Sequence, residues 1–271
     1  MKLRLTLNNL VFTDTHAHLY LEEFDADREQ VVSRALEAGV KYIFLPNIDS
    51  KSIGPMQDAG CRWPQVCFPM MGLHPTSVKS NFTEEITIVK QYLADINYRF
   101  YGVGEIGIDL YWDKTFEQEQ KDAFNMQLDL ALDHGLPVAI HTRNSMEVTL
   151  EIIEGRNDKG LRGVFHCFSG DVSQAERAIT LGFYLGIGGV VTYKKSGLAD
   201  VVAAMPLESL LLETDAPFLP PVPHRGKRNE PSYIPLIAYK IAEIKGVSLE
   251  EVAEVTTANA LKLFILDSVN G

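Results

Sequence analysis

The sequence predicts an α/β protein, a (β/α)8 TIM barrel forming a single domain over residues 1–271. Short apolar runs alternate eight times with amphipathic helical patterns, the runs starting near 11, 40, 66, 100, 137, 163, 183 and 209. Eight strand–helix units in about 260 residues are the arithmetic of such a barrel. The rival architecture, an open doubly wound sheet, lacks the Gly-x-Gly-x-x-Gly turn after the first strand that would support it.

Each unit has its own signals. Val11, Phe12 and Thr13 open a short strand; Asp27-Arg-Glu-Gln30 then starts a helix with Val31, Val32, Ala35 and Leu36 as its stripe and Gly39 as its stop. Val40–Leu45 reads as a buried strand ended by Pro46, and 51–60 as a helix weakened by Gly54 and Pro55. Val66–Met71 is the third strand, made irregular by Pro69. Ile86, Val89, Leu93 and Ile96 mark the next helix, and Phe100–Glu105 the fourth strand. Thr115-Phe-Glu-Gln118 has the form of a capping box for a helix carrying Phe124, Leu128 and Ala131, stopped by Gly135 and Pro137. Leu136–Ile140 and Gly163–Phe165 are strands five and six. Ser173-Gln-Ala-Glu176 opens a helix ending at Gly182, and Phe183–Ile187 runs into Gly188-Gly189. A helix near 194–205 precedes the last strand, Ser209–Thr214. Helices near 231–245 and 248–265 follow, the second opened by the capping box Ser248-Leu-Glu-Glu251.

Composition narrows the function classes. A net charge of −11 argues against wide, sequence-blind wrapping of duplex nucleic acid but leaves room for a small phosphate site, where bound cations would invert the local field. Cys61, Cys67 and Cys167 are odd in number, without Cys-x-x-Cys spacing, which fits a reducing cytoplasm. The first residues lack a signal-peptide pattern, and no run reaches the roughly 18 apolar residues of a membrane helix. The expectation is a soluble cytoplasmic protein, a monomer or small homo-oligomer, with no membrane partner.

The chemistry-bearing residues fall where strands end. His16 and His18 share one face of extended backbone after the first strand; His74 lies beyond the third, and Glu105 ends the fourth. His141 ends the fifth, His166 the sixth and Asp215 the eighth. Barrels gather such residues at one mouth. Taken singly, His141 reads as a hydrogen-bonded core histidine and Asp215 as a helix cap. Glu105, between Val103 and Ile106, is harder to explain blandly, because a carboxylate in a buried strand must be paired or bound to a cation. Coincidence at five strands is improbable, so a metal site is the better reading.

The ordered segments Asp14-Thr-His16-Ala-His18, Gly72-Leu-His74-Pro75, Gly104-Glu105-Ile-Gly-Ile-Asp109, Ile140-His141, His166-Cys-Phe-Ser-Gly170 and Glu213-Thr-Asp215-Ala-Pro217 resemble the TatD family of metal-dependent hydrolases and deoxyribonucleases, within the amidohydrolase superfamily. Gly188-Gly189, His224-Arg-Gly-Lys-Arg-Asn-Glu-Pro231 and Thr257-Ala-Asn-Ala also match its pattern. The likeness covers nearly the whole chain, with about ten extra residues at the N-terminus.

The resemblance implies two divalent ions: His16, His18 and Asp215 on the first, His141 and His166 on the second, and Glu105 bridging. Zn²⁺ or Mn²⁺ suits the mixed nitrogen and oxygen set, Mg²⁺ less so. It further implies hydrolysis by water activated between the ions, with Asp215 and Glu105 as catalytic carboxylates. His74 and Arg143 would face the substrate phosphate, with a surface salt bridge as the alternative for Arg143. Arg225, Lys227 and Arg228 form a basic cluster on the mouth side that suits a phosphodiester chain, or is a solvated loop. Asp109 and Glu213 are candidates to orient ligands. Cys167 should point off the metal face into the core, and Tyr111 and Trp112 either stack on a base or pack. The expected activity is 3′-5′ exonuclease action on single-stranded or frayed DNA. The alternatives are an esterase or deacylase, for example on aminoacyl-tRNA, and a non-catalytic metal-binding scaffold, against which no expected ligand is missing.

Overall fold

The computed structural model describes residues 10–156 and 160–264. The N-terminal extension and the end of the last predicted helix, at residue 265, lie outside them. Strands β1 (Phe12–Asp14), β2 (Val40–Pro46) and β3 (Cys67–Met70) pair in parallel, as do β4 (Val103–Asp109), β5 (Val138–Arg143), β6 (Gly163–Phe165), β7 (Phe183–Ile187) and β8 (Leu210–Leu212). Bridges Met71–Val103 and Ala17–Ala216 join the two sheets into a closed barrel. Helices α1 (Arg28–Glu37), α2 (Ile53–Arg62), α3 (Phe82–Leu93), α4 (Glu117–Asp133), α5 (Met146–Glu154), α6 (Val172–Thr180) and α7 (Leu198–Ala204) follow the first seven strands, and α8 (Ile234–Lys245) and α9 (Leu249–Phe264) follow β8. This is the (β/α)8 architecture. Among the described residues no helix is long and apolar enough to cross a membrane.

The local signals held at most elements, and the exceptions have physical causes. The helix near 51–60 forms because Pro55 sits in its first turn, where no N–H is needed. The capping box at Thr115 does not form: Asp113 takes the Thr115 amide at 2.9 Å, and α4 begins at Glu117. Helix α6 opens just before Ser173, with a capping box formed by Asp171 and Gln174. Ser248 does accept the Glu251 amide at 3.0 Å. Ile96, placed by periodicity in the third helix, lies beyond its end and is 98% exposed.

The fourth strand is longer than its apolar pattern suggests and continues to Asp109, so Glu105 lies inside β4 rather than at its end. Gly107 makes this possible. At φ 141°, a Cβ there would stand 2.1 Å from the His141 carbonyl oxygen, so only glycine lets β4 and β5 approach this closely.

Side-chain alternation fixes what fills the barrel. Phe44, Phe68, Met70, Ala139, Val164 and Leu211 form one buried cluster with Ala260, Leu263 and Phe264 of α9. The rings of Phe44 and Phe264 stack at 4.0 Å, so α9 packs onto this interior layer. Two residues further along, on the faces that carry Ala139 and Val164, stand His141 and His166. The same parity that packs the core lifts these histidines toward the mouth.

Candidate metal centre

Glu105, 2% exposed, is the hub. Its Oε2 lies 3.1 Å from His16 Nε2 and 3.5 Å from His18 Nε2. Its Oε1 lies 2.8 Å from His141 Nδ1, 3.3 Å from His74 Nε2 and 3.7 Å from His166 Nε2. Asp215 Oδ1 stands 3.6 Å from His18 Nε2 and 3.7 Å from His166 Nε2. The rings of His16 and His166 stack at 3.3 Å. All six predicted ligands therefore converge, each carboxylate oxygen of Glu105 facing a different set.

A second ring of contacts sets which nitrogen each imidazole offers. Tyr20 donates its hydroxyl to the Pro46 carbonyl at 2.5 Å, so its oxygen is left to accept from His18 Nδ1 at 2.9 Å. With Nδ1 so engaged, His18 turns its Nε2 to the centre. His141 Nε2 meets Asp109 Oδ2 at 3.0 Å, leaving Nδ1 for Glu105. Glu213 Oε1 stands 3.0 Å from His166 Nδ1, with the ring turned off the line of a hydrogen bond, and leaves Nε2 inward. Asp109 and Glu213 thus occupy the positions expected of orienting groups.

The donor set suits a divalent cation. His16 Nε2 and His18 Nε2 are 3.3 Å apart, too close for both to carry protons. Ligand atoms of His16, His18 and Glu105 lie within 4.8 Å of one another, as do those of His16, His166 and Asp215 and those of His74, Glu105 and His141. Burial, then His166, pushes the His16 pKa down to about 4. Burial alone would raise Glu105, yet His74, His16, His166 and the His141 hydrogen bond hold it well below the usual carboxylate range. Burial opposes protonation of His166 too, but Glu213 and Glu105 lift it to about 9. The pocket is built around fixed anions that need a positive partner.

Other predicted residues settle differently. His74 lies at the centre, against Glu105. Its Nδ1 accepts the Thr76 amide at 3.1 Å. Arg143 is exposed, with its guanidinium 4.0 Å from the Tyr111 ring and 5.0 Å from Trp112. Arg225, also exposed, lies 4.3 Å over Tyr193, and Lys227 is exposed in the same loop. Arg228 is not a free member of that cluster: it pairs with Asp27 at 2.7 and 2.8 Å. Cys167 departs from its expected place in the core. Its φ of +45° breaks strand alternation, and its Sγ falls within 4.8 Å of ligand atoms of His166 and Glu213. Burial, with Asp215 and Glu213 near, pushes the Cys167 thiol well above its usual pKa. Tyr20 was not anticipated; two residues beyond His18, it carries no signal that distinguishes it from a packed aromatic.

Comparison with known proteins agrees with this geometry. The family model described as "TatD related DNase" matches residues 13–265. The metal-dependent hydrolase YabD of Bacillus subtilis (strain 168) is 37% identical over 252 residues, covering 93% of this chain and 98% of the relative. The crystal structure of YjjV, a TatD homologue from Escherichia coli K12, superposes with a TM-score of 0.89 at 31% identity, covering 94% and 98% of the two chains. A TatD family hydrolase from Entamoeba histolytica shares the fold at 22% identity, with a TM-score of 0.80 over 94% of this chain and 98% of that one. With Glu105 ringed by five histidines and a family model spanning nearly every described residue, the chain belongs to the TatD family of metal-dependent hydrolases.

Proposed function

We propose that this hydrolase is a deoxyribonuclease, the whole chain acting as one domain that removes nucleotides from the 3′ end of single-stranded or frayed DNA. The observation that carries this reading is the split of Glu105: one oxygen faces His16 and His18, the other His141 and His166. Such a carboxylate suits two cations side by side, with His16, His18 and Asp215 holding one and His141 and His166 the other. The mixed nitrogen and oxygen donors favour Zn²⁺ or Mn²⁺ over Mg²⁺. When bound, divalent ions lower the pKa of water and offset charge that develops on phosphoryl oxygens.

The chain's own residues supply the rest. Burial would raise the Asp215 carboxyl, but the His18 hydrogen bond and His166 keep it below its usual pKa and therefore ionised. Its side chain is 15% exposed against 3% for Glu105, so it faces the incoming strand and accepts the proton of the attacking water. Burial lowers the His74 pKa, and its Nδ1 is engaged by Thr76, so the neutral ring carries its proton on Nε2. That N–H lies 3.3 Å from Glu105 Oε1 and turns to a phosphoryl oxygen of the incoming strand. Arg143, Arg225 and Lys227, exposed at the rim, attract the following phosphates of a chain that is otherwise repelled by an acidic protein.

The test is release of mononucleotides from end-labelled oligonucleotides by wild type and Glu105→Ala, purified in parallel. Loss of at least about a thousandfold in the variant is expected; equal activity would point to a contaminating nuclease. Carboxylic ester or lactone turnover far above phosphodiester turnover would move the reading to a deacylase.

A further inference from the structure

Asp109 closes β4 and divides its carboxylate between two tasks. Oδ2 meets His141 Nε2 at 3.0 Å, while Oδ1 accepts the amides of Tyr111 at 2.9 Å and Trp112 at 3.2 Å. One buried side chain therefore fixes both a candidate ligand and the loop that follows. That loop holds its aromatic rings out of the core: Tyr111 is 53% exposed and Trp112 67%. They meet edge to face at 4.9 Å and 84°. The Arg143 guanidinium stands against both rings, from the β5 face that also carries His141. Exposing this much aromatic surface costs hydrophobic stabilisation. The pinned backbone keeps it available.

Across the mouth, the loop after β8 exposes Phe218 and Leu219, 47% and 39% accessible. Strands β4 and β8 are four apart in an eight-stranded barrel, so the two loops leave it on opposite sides of the mouth, and the Phe218 ring stands 6.2 Å from that of His18 at the metal centre. Flat rings beside a planar cation match the face of an unstacked nucleobase attached to a phosphodiester. A peptide or lipid would need no cation stacked on the rings.

We propose that Tyr111, Trp112 and Arg143 form a base-stacking subsite for an unpaired nucleobase of the strand, with Asp109 as the positioning residue that keeps it in register with the metal centre. This rests on the phosphodiesterase reading above. It gives the enzyme a physical preference for single strands, because a base inside a duplex offers no free face.

The test compares an oligothymidylate with an abasic sugar–phosphate strand of equal length. The chain has two tryptophans, and Trp63→Phe leaves Trp112 as the sole tryptophan reporter. In that background, loaded with metal, a phosphorothioate-linked oligothymidylate is expected to quench Trp112 emission and the abasic strand to leave it unchanged. In turnover assays the wild type prefers the base-bearing strand, and Trp112→Ala raises KM roughly tenfold, bringing the ratio of kcat/KM for the two strands toward one. Asp109→Ala weakens the quench, whereas Asp109→Asn, which keeps an acceptor for the two amides, preserves it.

Equal cleavage of both strands by wild type, with no quench, overturns the subsite and leaves the nuclease reading standing. Cleavage of neither strand sinks the nuclease reading, and the quench alone then decides the subsite. An undiminished quench in Asp109→Ala overturns the positioning role.

Discussion

Asp14 and Thr214, 200 positions apart in sequence, are joined by two hydrogen bonds: Thr214 Oγ1 donates to Asp14 Oδ2 at 2.6 Å and the Thr214 amide to Oδ1 at 2.9 Å. Oδ1 also accepts the His16 amide at 3.2 Å, and both side chains are fully buried. This brace ties the end of β1, with His16 and His18, to the end of β8, with Asp215. It thereby sets the spacing across the candidate centre. Asp14→Ala strands buried donors on Thr214 and should cost about 2–4 kcal/mol of stability. It should also weaken cation binding about ten- to a hundredfold. Urea unfolding and metal titration check both. A variant as stable as wild type would show that the brace is incidental.

Cation binding should release protons. Burial works against protonating His166, but Glu213 and Glu105 raise its pKa from 6.5 to about 9. Its folded pKa lies above the unfolded one. In cation-free protein the resulting stability is therefore fully present below about pH 6.5 and lost as pH rises through about 9. Because His166 Nε2 must shed its proton to accept a cation, affinity should climb as pH rises from 6 toward 9. Titration calorimetry at about pH 7 in two buffers of different ionisation enthalpy reads the protons released. Identical heats would contradict the proposed ligand role.

The loop after β8 is fastened by Arg228 and Asp27, while Arg34 spans Asp27 at 3.2 Å and Glu230 at 2.9 and 2.6 Å. Arg228 hydrogen bonds, aided by Arg34 against a small burial penalty, hold the Asp27 carboxyl down at about 2. A depressed carboxyl stabilises the fold above its unfolded pKa of 3.8, and that contribution disappears as pH falls through about 2. The Tm gap between wild type and Asp27→Asn should be full above about pH 5 and close between about pH 4 and pH 2. A gap that does not change with pH would mean that the carboxylate charge contributes nothing to the clasp.

Much of this arrangement was legible because strand parity is rigid. Ala139 and Val164 must fill the barrel, so His141 and His166, two residues on, had to face the mouth. Parity fails where the backbone leaves the strand. Cys167 follows β6 at positive φ, and its thiol turns back toward Glu213 instead of away. The apolar pattern also ended β4 at Glu105, whereas Gly107, through its close approach to β5, lets the strand run on to Asp109. Charge could be seen but not its pairing: Arg228 looked like part of a phosphate-binding cluster until the fold brought Asp27 beside it from 201 positions away. Tertiary partners of this kind leave no local pattern to read.

Gly186 offers the sharpest test of how Glu213 acts. A Cβ at this position of β7 would lie 2.2 Å from Glu213 Oε2 and 2.7 Å from its Cδ. Glu213 is fully buried, and its Oε1 accepts the Cys167 amide at 2.6 Å while standing beside His166. The carboxylate cannot swing away without disturbing both neighbours. Gly186→Ala should therefore cost about 1–3 kcal/mol and weaken cation binding about ten- to a hundredfold, with the far-UV circular dichroism unchanged. If the damage travels through Glu213, adding Glu213→Gln to Gly186→Ala should cost clearly less than the sum of the single effects. Costs that add within about 0.5 kcal/mol would show that Gly186 serves β7 packing alone.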